Sequence, residues 1–322
     1  MVEKNKHYFK NLQNDWVNRG GKSLKISEIT FTKSNDKKKS KRNKDAYPFL
    51  KWAGGKRQLI PQMKKYFPQK FNKYIEPFVG GGAVFFELYN ASLVKNGAII
   101  IDKNKELINC YRVIKDNVNV LIKSLKKHKN DEDYYYRIRK LDRKPKKYKK
   151  LSDIEKASRT IFLNRCCYNG LYRVNSKGQF NVPFGRYKNP TFCDEENLKA
   201  VSISLKNVKI IHDSFEVCLK YAEEGDFIYF DPPYFPLSET SSFTSYTKED
   251  FGIKYQKKLH QIFNELNKRG CKLMLSNSYS NFILDLYNDY EKIILKAKRV
   301  INCDSSKRGK IKELLIINDY KD

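Results

Sequence analysis

Apolar residues make up 40% of this 322-residue chain, yet they are scattered. No uninterrupted run approaches the roughly 20 residues that a membrane-spanning helix needs, so no membrane partner is expected. The opening stretch, Met1-Val2-Glu3-Lys4-Asn5-Lys6, lacks the apolar core of a signal peptide. Cysteine is sparse and badly spaced. Of seven, only Cys166 and Cys167 are close, and no C-x-x-C occurs, which argues against a zinc ribbon or a disulfide framework. A reduced, cytoplasmic protein is the expectation. The four histidines (His7, His128, His212, His260) lie far apart and read as structural or surface residues, so no metal is expected. Acidic residues are also short: 36 Asp+Glu face 65 Lys+Arg, a formal net charge of +29. Such a surface favours a polyanion, because each neutralised phosphate releases condensed counterions. Lysine-rich compositions also arise where ion-pair networks support thermostability, but that leaves the imbalance over acids unexplained. Aromatics reach 14%, enough to bury a core and to exclude global disorder.

The length allows one large domain or two moderate ones. Residues 1–46 are polar and basic, ending near Lys37-Lys38-Lys39-Ser40-Lys41-Arg42, and read as an arm that either touches phosphates or is merely solvated. An α/β pattern follows. A helix-like stretch at 58–66 precedes a strand at 75–79, a helix at 83–89, a buried-strand run at 98–101, and a helix starting near Asn104. Residues 116–204 are charged, Tyr-rich and mostly helical, with 159–190 read as an aromatic and basic loop region. Strand patterns return at 208–211, 227–230, 272–275 and 314–317, with an amphipathic helix over 253–268. This alternation predicts a mostly parallel sheet covered on both faces, interrupted by an inserted domain. The expected divisions are 1–46, 47–115, 116–204 and 205–322.

Two sites carry chemistry. Glu76-Pro77-Phe78-Val79-Gly80-Gly81-Gly82 stands at a strand-to-helix junction, where glycines let backbone approach a ligand. Alone it is equally a tight turn or another nucleotide site, and Phe85 breaks the dinucleotide fingerprint. Asp102 ends the next strand roughly 20 positions further on, where a ribose diol needs an acidic residue. Together they point to an adenosine-containing cofactor. Asp231-Pro232-Pro233-Tyr234 directly follows the apolar run Phe227-Ile228-Tyr229-Phe230. Two prolines there force a stiff, extended turn and fix the carbonyls beside it.

In this order, Phe49-Leu50-Lys51-Trp52-Ala53-Gly54-Gly55-Lys56-Arg57, the glycine-rich turn, Asp231-Pro232-Pro233-Tyr234 and Lys307-Arg308-Gly309-Lys310 resemble the Dam-type DNA adenine-N6 methyltransferases. The resemblance spans residues 49–318. It implies a Rossmann-like, S-adenosylmethionine-dependent methyltransferase sheet with an inserted, mostly helical DNA-recognition domain. It places Trp52, Lys56, Glu76, Phe78, Gly80, Gly82, Asp102, Asp213, Phe215 and Asp231 around S-adenosylmethionine. Outside the family, Trp52 would pass as a core aromatic, Lys56 as a solvated charge and Asp213 as a helix cap.

An adenine amino group is a poor nucleophile because its lone pair is delocalised into the ring. The Asp231 carboxylate and the Pro232 carbonyl would hold both amino hydrogens and favour the tetrahedral nitrogen. Tyr234 would stack on the flipped base. The stretch Asn164-Arg165-Cys166-Cys167-Tyr168-Asn169-Gly170-Leu171-Tyr172-Arg173, with Gln179-Phe180-Asn181-Val182-Pro183-Phe184-Gly185-Arg186-Tyr187, is similar to the hairpin that reads GATC in the family. Arg173 is assigned to guanine, whose two major-groove acceptors match a guanidinium fork. Lys51, Asn169, Leu171, Pro183 and Tyr187 are expected beside it, and Tyr168 as a wedge where adenine leaves the stack. An aromatic-rich loop that touches only phosphates is the plainer reading of the same residues. Two other functions stay open: cytosine-N4 methylation, which usually carries Ser at the position of Asp231, and non-catalytic nucleic-acid binding. The expected partners are double-stranded DNA and a restriction endonuclease sharing the site, with the chain acting as a monomer.

Overall fold

Five short apolar runs become the parallel part of a sheet. They are β1 (Tyr74–Glu76), β2 (Ala98–Asp102), β3 (Val208–His212), β4 (Phe227–Phe230) and β5 (Lys272–Ser278). Two further strands, β6 (Glu291–Lys298) and β7 (Lys310–Ile317), complete it. The computed structural model describes residues 45–236, 251–298 and 310–320. The basic arm therefore falls almost wholly outside the described residues, as do Lys307, Arg308 and Gly309 of the closing motif.

The sheet has seven strands in the order β3-β2-β1-β4-β5-β7-β6. Strands β1 to β5 pair in parallel, while β7 lies antiparallel between β5 and β6. From β1 the chain steps outward through β2 to β3, then crosses to the other side of β1 to make β4. The reversal leaves a crevice at the carboxyl ends of β1 and β4, where open α/β sheets bind ligands.

Alternating strand side chains build two cores. Tyr74, Ile100, Tyr229, Met274 and Leu315 pack on one face against α1 (Ala83–Asn90), α2 (Lys105–Leu125) and α5 (Glu195–Ser204). Ile75, Ile99, Ile228, Phe230 and Leu275 pack on the other, against α6 (Ile253–Lys268). A third, smaller cluster joins Tyr135 of α3 (Glu132–Arg139) and Phe162 and Cys166 of α4 (Asp153–Cys166) to Phe180 and Val182.

Several local expectations change. The region expected as loop from residue 159 is helical as far as Cys166, because α4 starts at a reciprocal Ser152–Glu155 capping box and buries its interior. The stretch 58–66 breaks into a four-residue helix, Ile60–Met63, between two 3-10 turns. The first strand covers Tyr74–Glu76 only, since Pro77 cannot donate to a ladder. The boundary expected at 115/116 falls inside α2, next to a kink at Asn117.

Candidate active site at the switch point

The glycine turn leaves β1 and is pinned from three sides. Asp102, at the end of β2, accepts the Gly80 amide at 3.0 Å and the Asn104 amide at 2.8 Å. Burial raises its carboxyl above the usual range, and these two amides oppose the rise. Tyr111 of α2 donates its hydroxyl to the Gly80 carbonyl at 3.0 Å. At Gly82, φ is +70° and an added Cβ would meet that hydroxyl at 2.6 Å, so glycine is required twice over. The Trp52 indole lies over Gly80, where a Cβ would come within 2.8 Å of it.

Glu76, just before the turn, is 2% exposed, and its Oε2 is buried with no hydrogen-bond partner. Burial pushes this carboxyl well above the ordinary carboxylate range, with Asp231 and Asp102 nearby adding to the rise. A buried carboxyl with an open oxygen is set up to receive a donor or a cation.

Across the crevice, β4 delivers Asp231. Its carboxylate meets Lys56 Nζ at 2.8 Å, with 5% of the Lys56 side chain and 19% of the Asp231 side chain exposed. Lys56 also donates to the Gly54 carbonyl at 2.7 Å and sits 4.7 Å from the centre of the Tyr234 ring. The Tyr234 hydroxyl donates to Glu313 Oε2 of β7 at 2.7 Å. Burial raises the Asp231 carboxyl, and Lys56 opposes that rise. Lys56, Asp231 and Tyr234 thus form one cluster, completed by Glu313. Lys56 lies against the catalytic candidate, a placement that sequence reasoning, which put it on the cofactor, did not anticipate.

The aromatic candidates also meet. Phe78 and Phe215 stack at 5.2 Å, and Phe251 closes the group at 5.6 Å from each. Asp213 stays exposed and accepts the Ser214 amide at 2.7 Å, while the 3-10 turn that follows, Phe215–Lys220, is capped by Ser214 without a side-chain bond.

The hairpin forms around Val174 and Phe180, bridged antiparallel, with Asn181 N–H donating to the Arg173 carbonyl. Asn181 Oδ1 accepts Arg173 Nε at 2.8 Å and so orients the guanidinium plane. Tyr168, Asn169 and Pro183 are exposed, and the Tyr187 hydroxyl oxygen accepts the Asn169 amide at 3.1 Å. Leu171 is half-buried. Lys51 joins the group, its Nζ 4.7 Å from the Tyr187 ring centre. Fully buried Asn164 accepts the Lys51 amide at 2.8 Å and donates to the carbonyls of Lys51 and Gly170. Tyr172 stacks on Trp52 at 5.1 Å, so the hairpin root touches the indole that covers the glycine turn.

Sequence reasoning missed Tyr111, Asn164, Tyr172 and Glu313. Only Asn164 and Tyr172 lay inside a quoted motif, and neither stood out by residue type. Among the described residues, no group of three or more His, Cys, Asp or Glu is placed to hold a metal ion, and no helix is long and apolar enough to cross a membrane.

The sequence matches the family of D12 class N6 adenine-specific DNA methyltransferases over residues 52–301. It is 48% identical over 275 residues to the Type II methyltransferase M1.LlaDCHI of Lactococcus lactis subsp. cremoris, covering 84% of this chain and 95% of that one. It is 48% identical over 287 residues to the Type II methyltransferase M.MjaIII of Methanocaldococcus jannaschii, covering 84% and 98%. The DNA adenine methylase of Haemophilus influenzae is similar at 36% over 280 residues, covering 84% and 93%. With the strand order, the glycine turn and Asp231-Pro232-Pro233-Tyr234 facing each other across one crevice, this chain belongs to the D12 class of N6 adenine-specific DNA methyltransferases.

Proposed function

We propose that the enzyme transfers a methyl group from S-adenosylmethionine to the N6 amino group of adenine in double-stranded DNA, within GATC. The observation that carries the chemistry is the Asp231 carboxylate, held at the crevice by Lys56 and facing the glycine turn. The crevice fits the methyl donor. Gly80, Gly81 and Gly82 bring no side chains of their own, the Glu76 oxygen without a partner suits an ammonium, and Phe78 and Phe215 offer a stacking face for adenine. Asp102 and Asp213 are assigned to the cofactor's ribose and adenine, and Trp52 to its cover. When bound, S-adenosylmethionine supplies an electrophilic methyl group on a sulfonium.

The chain's own residues prepare the nucleophile. Asp231 and the Pro232 carbonyl accept the two amino hydrogens and draw the nitrogen lone pair out of the ring. Lys56 opposes the rise that burial imposes on the Asp231 carboxyl and so favours its ionised form. With Lys56 above one face and its hydroxyl on Glu313, Tyr234 keeps a fixed ring plane for stacking on the extruded base. Residues 116–204 form the target-recognition part, with Arg173 on guanine and Lys51, Asn169, Leu171, Pro183 and Tyr187 beside it. Tyr168, 55% exposed, is the wedge. The names of the Type II relatives support pairing with a restriction endonuclease that cuts the same site. One crevice and one hairpin per chain suit a monomer.

Labelled methyl transfer to mixed-sequence DNA, followed by mapping of the modified bases, tests this. Asp231→Ala should abolish transfer while S-adenosylmethionine binding remains measurable. Activity within about tenfold of wild type would sink the assignment, since removing such an electrostatic contact costs several kcal/mol. Methylation at a site other than GATC would overturn the specificity and leave the chemistry standing.

A further inference from the structure

The turn Asp231-Pro232-Pro233-Tyr234 poses a mechanical problem. Its two prolines fix φ but remove two N–H donors, and they leave ψ at Pro233, which aims Tyr234, soft. The turn has to be held from outside. Gln256, at the start of α6, donates Nε2 to the Pro233 carbonyl at 3.1 Å. Asn277 of β5 accepts the Phe235 amide at 3.1 Å on its Oδ1, and donates Nδ2 to Gln256 Oε1 at 3.0 Å. Both side chains are fully buried.

The orientation of this pair is forced. The amides of Phe235 and Ser278 only donate, so Asn277 must present oxygen to them. Its nitrogen then faces Gln256, which must offer oxygen back and nitrogen to Pro233. Every group in the chain is used. Both amides are committed to protein partners, and neither belongs to the turn that would meet the substrate.

We propose that Gln256 and Asn277 are positioning residues that lock the catalytic turn, and hence the Pro232 carbonyl and the Tyr234 ring, in the geometry that methyl transfer uses. The proposal rests on the reading of that turn as the holder of the target amino group. Misplacement of reacting groups by about 1 Å costs on the order of a hundredfold in rate. Gln256→Leu and Asn277→Leu should therefore lower kcat about ten- to a hundredfold, with S-adenosylmethionine and DNA affinities within about twofold of wild type. The double variant should lose little more than either single, because the two amides act as one unit.

Gln256→Glu separates positioning from simple packing. As a carboxylate it has no donor for Pro233; once protonated it regains one. Its kcat relative to wild type should rise as pH falls. Wild-type kcat in the Gln256→Leu and Gln256→Glu variants would overturn the proposal. So would a Gln256→Glu defect that does not change with pH and follows a loss in melting temperature. Asp231→Ala, run alongside, keeps the two levels apart. An active Asp231→Ala removes the reading of the turn itself, whereas an inactive one beside fully active Gln256 variants removes the clamp alone.

Discussion

Replacing Lys56 by methionine keeps the bulk of the side chain and deletes its charge. In the wild type, Nζ lies 2.8 Å from Asp231, with 5% of the Lys56 side chain exposed. Removing one partner of a buried ion pair costs about 3–5 kcal/mol. Asp231 keeps 19% of its side chain accessible, so water offsets part of the loss and about 2–3 kcal/mol is the better figure. Asp231 acts on the amino group only as it turns nucleophilic, so where this loss is felt in the transition state it corresponds to about 30- to 150-fold in kcat near neutral pH. The sign of the pH effect follows from the causes acting on Asp231. Burial already raises its carboxyl, and Lys56 opposes that. Without Lys56 the carboxyl stays protonated to higher pH and stops accepting amino hydrogens. The deficit should therefore be greatest in acid and shrink as pH rises. The assay is single-turnover methylation of one duplex by both proteins across a pH series, with cofactor affinity measured alongside. A deficit independent of pH, accompanied by weakened S-adenosylmethionine binding, would refute this reasoning and return Lys56 to the cofactor.

Arg173→Ala should cost about 1–3 kcal/mol and relax selection at one base pair only, read by comparing GATC with its single-base variants at fixed salt; equal loss on every variant would make Arg173 a phosphate contact. Burial pushes the Glu76 carboxyl well above the usual range, so a cation docking beside it should favour loss of its proton and S-adenosylmethionine affinity should rise with pH. Calorimetry in buffers of different ionisation heat should detect the released proton in wild type and not in Glu76→Gln. His128, half-buried against Phe162 and bonded to Tyr134 and Ser158, has its pKa pushed down by desolvation from 6.5 to about 4. Its contribution to stability is complete above pH 6.5 and is lost as pH falls toward 4, because the unfolded chain takes up the proton first. Melting of His128→Gln over that window should show a shallower pH dependence than wild type, and superimposable curves would exclude His128 as the cause.

The parallel strands were legible because burial on both faces makes them continuous apolar runs. Strand β6 was not. It lies at the sheet edge, and Lys292, Lys296 and Lys298 interrupt its pattern. Helix α4 reads as loop from residue 159 because its interior carries Arg159, Thr160 and Asn164, polar residues whose burial depends on partners elsewhere in the chain. Asp142, for instance, pairs with Arg159 at 2.7 Å. The capping-box pair Ser152 and Glu155 was the signal that could have corrected it. The same division runs through the site. Each motif is a set of covalent neighbours at a strand end and could be read directly. What joins the motifs comes from elsewhere in the chain. Glu313 reaches Tyr234 from 79 positions away, and Asn164 reaches Lys51 from 113. Gln256 left one trace: a lone amide in helical register with Leu259, Phe263 and Leu266 on an otherwise apolar face.

The stretch from Lys51 to Lys56 bears on how such an enzyme can change. Within six residues it is bonded to the hairpin root through Asn164, covers the glycine turn with Trp52 and grips Asp231 with Lys56. A substitution at that root reaches all three through one short piece of backbone. Variants that acquire a new target sequence while keeping their turnover should therefore carry changes at hairpin side chains outside this network, at positions such as Arg173 and Pro183. Asn164, Tyr172 and the stretch they hold should stay as they are, because drift there would alter substrate choice, donor binding and catalysis together.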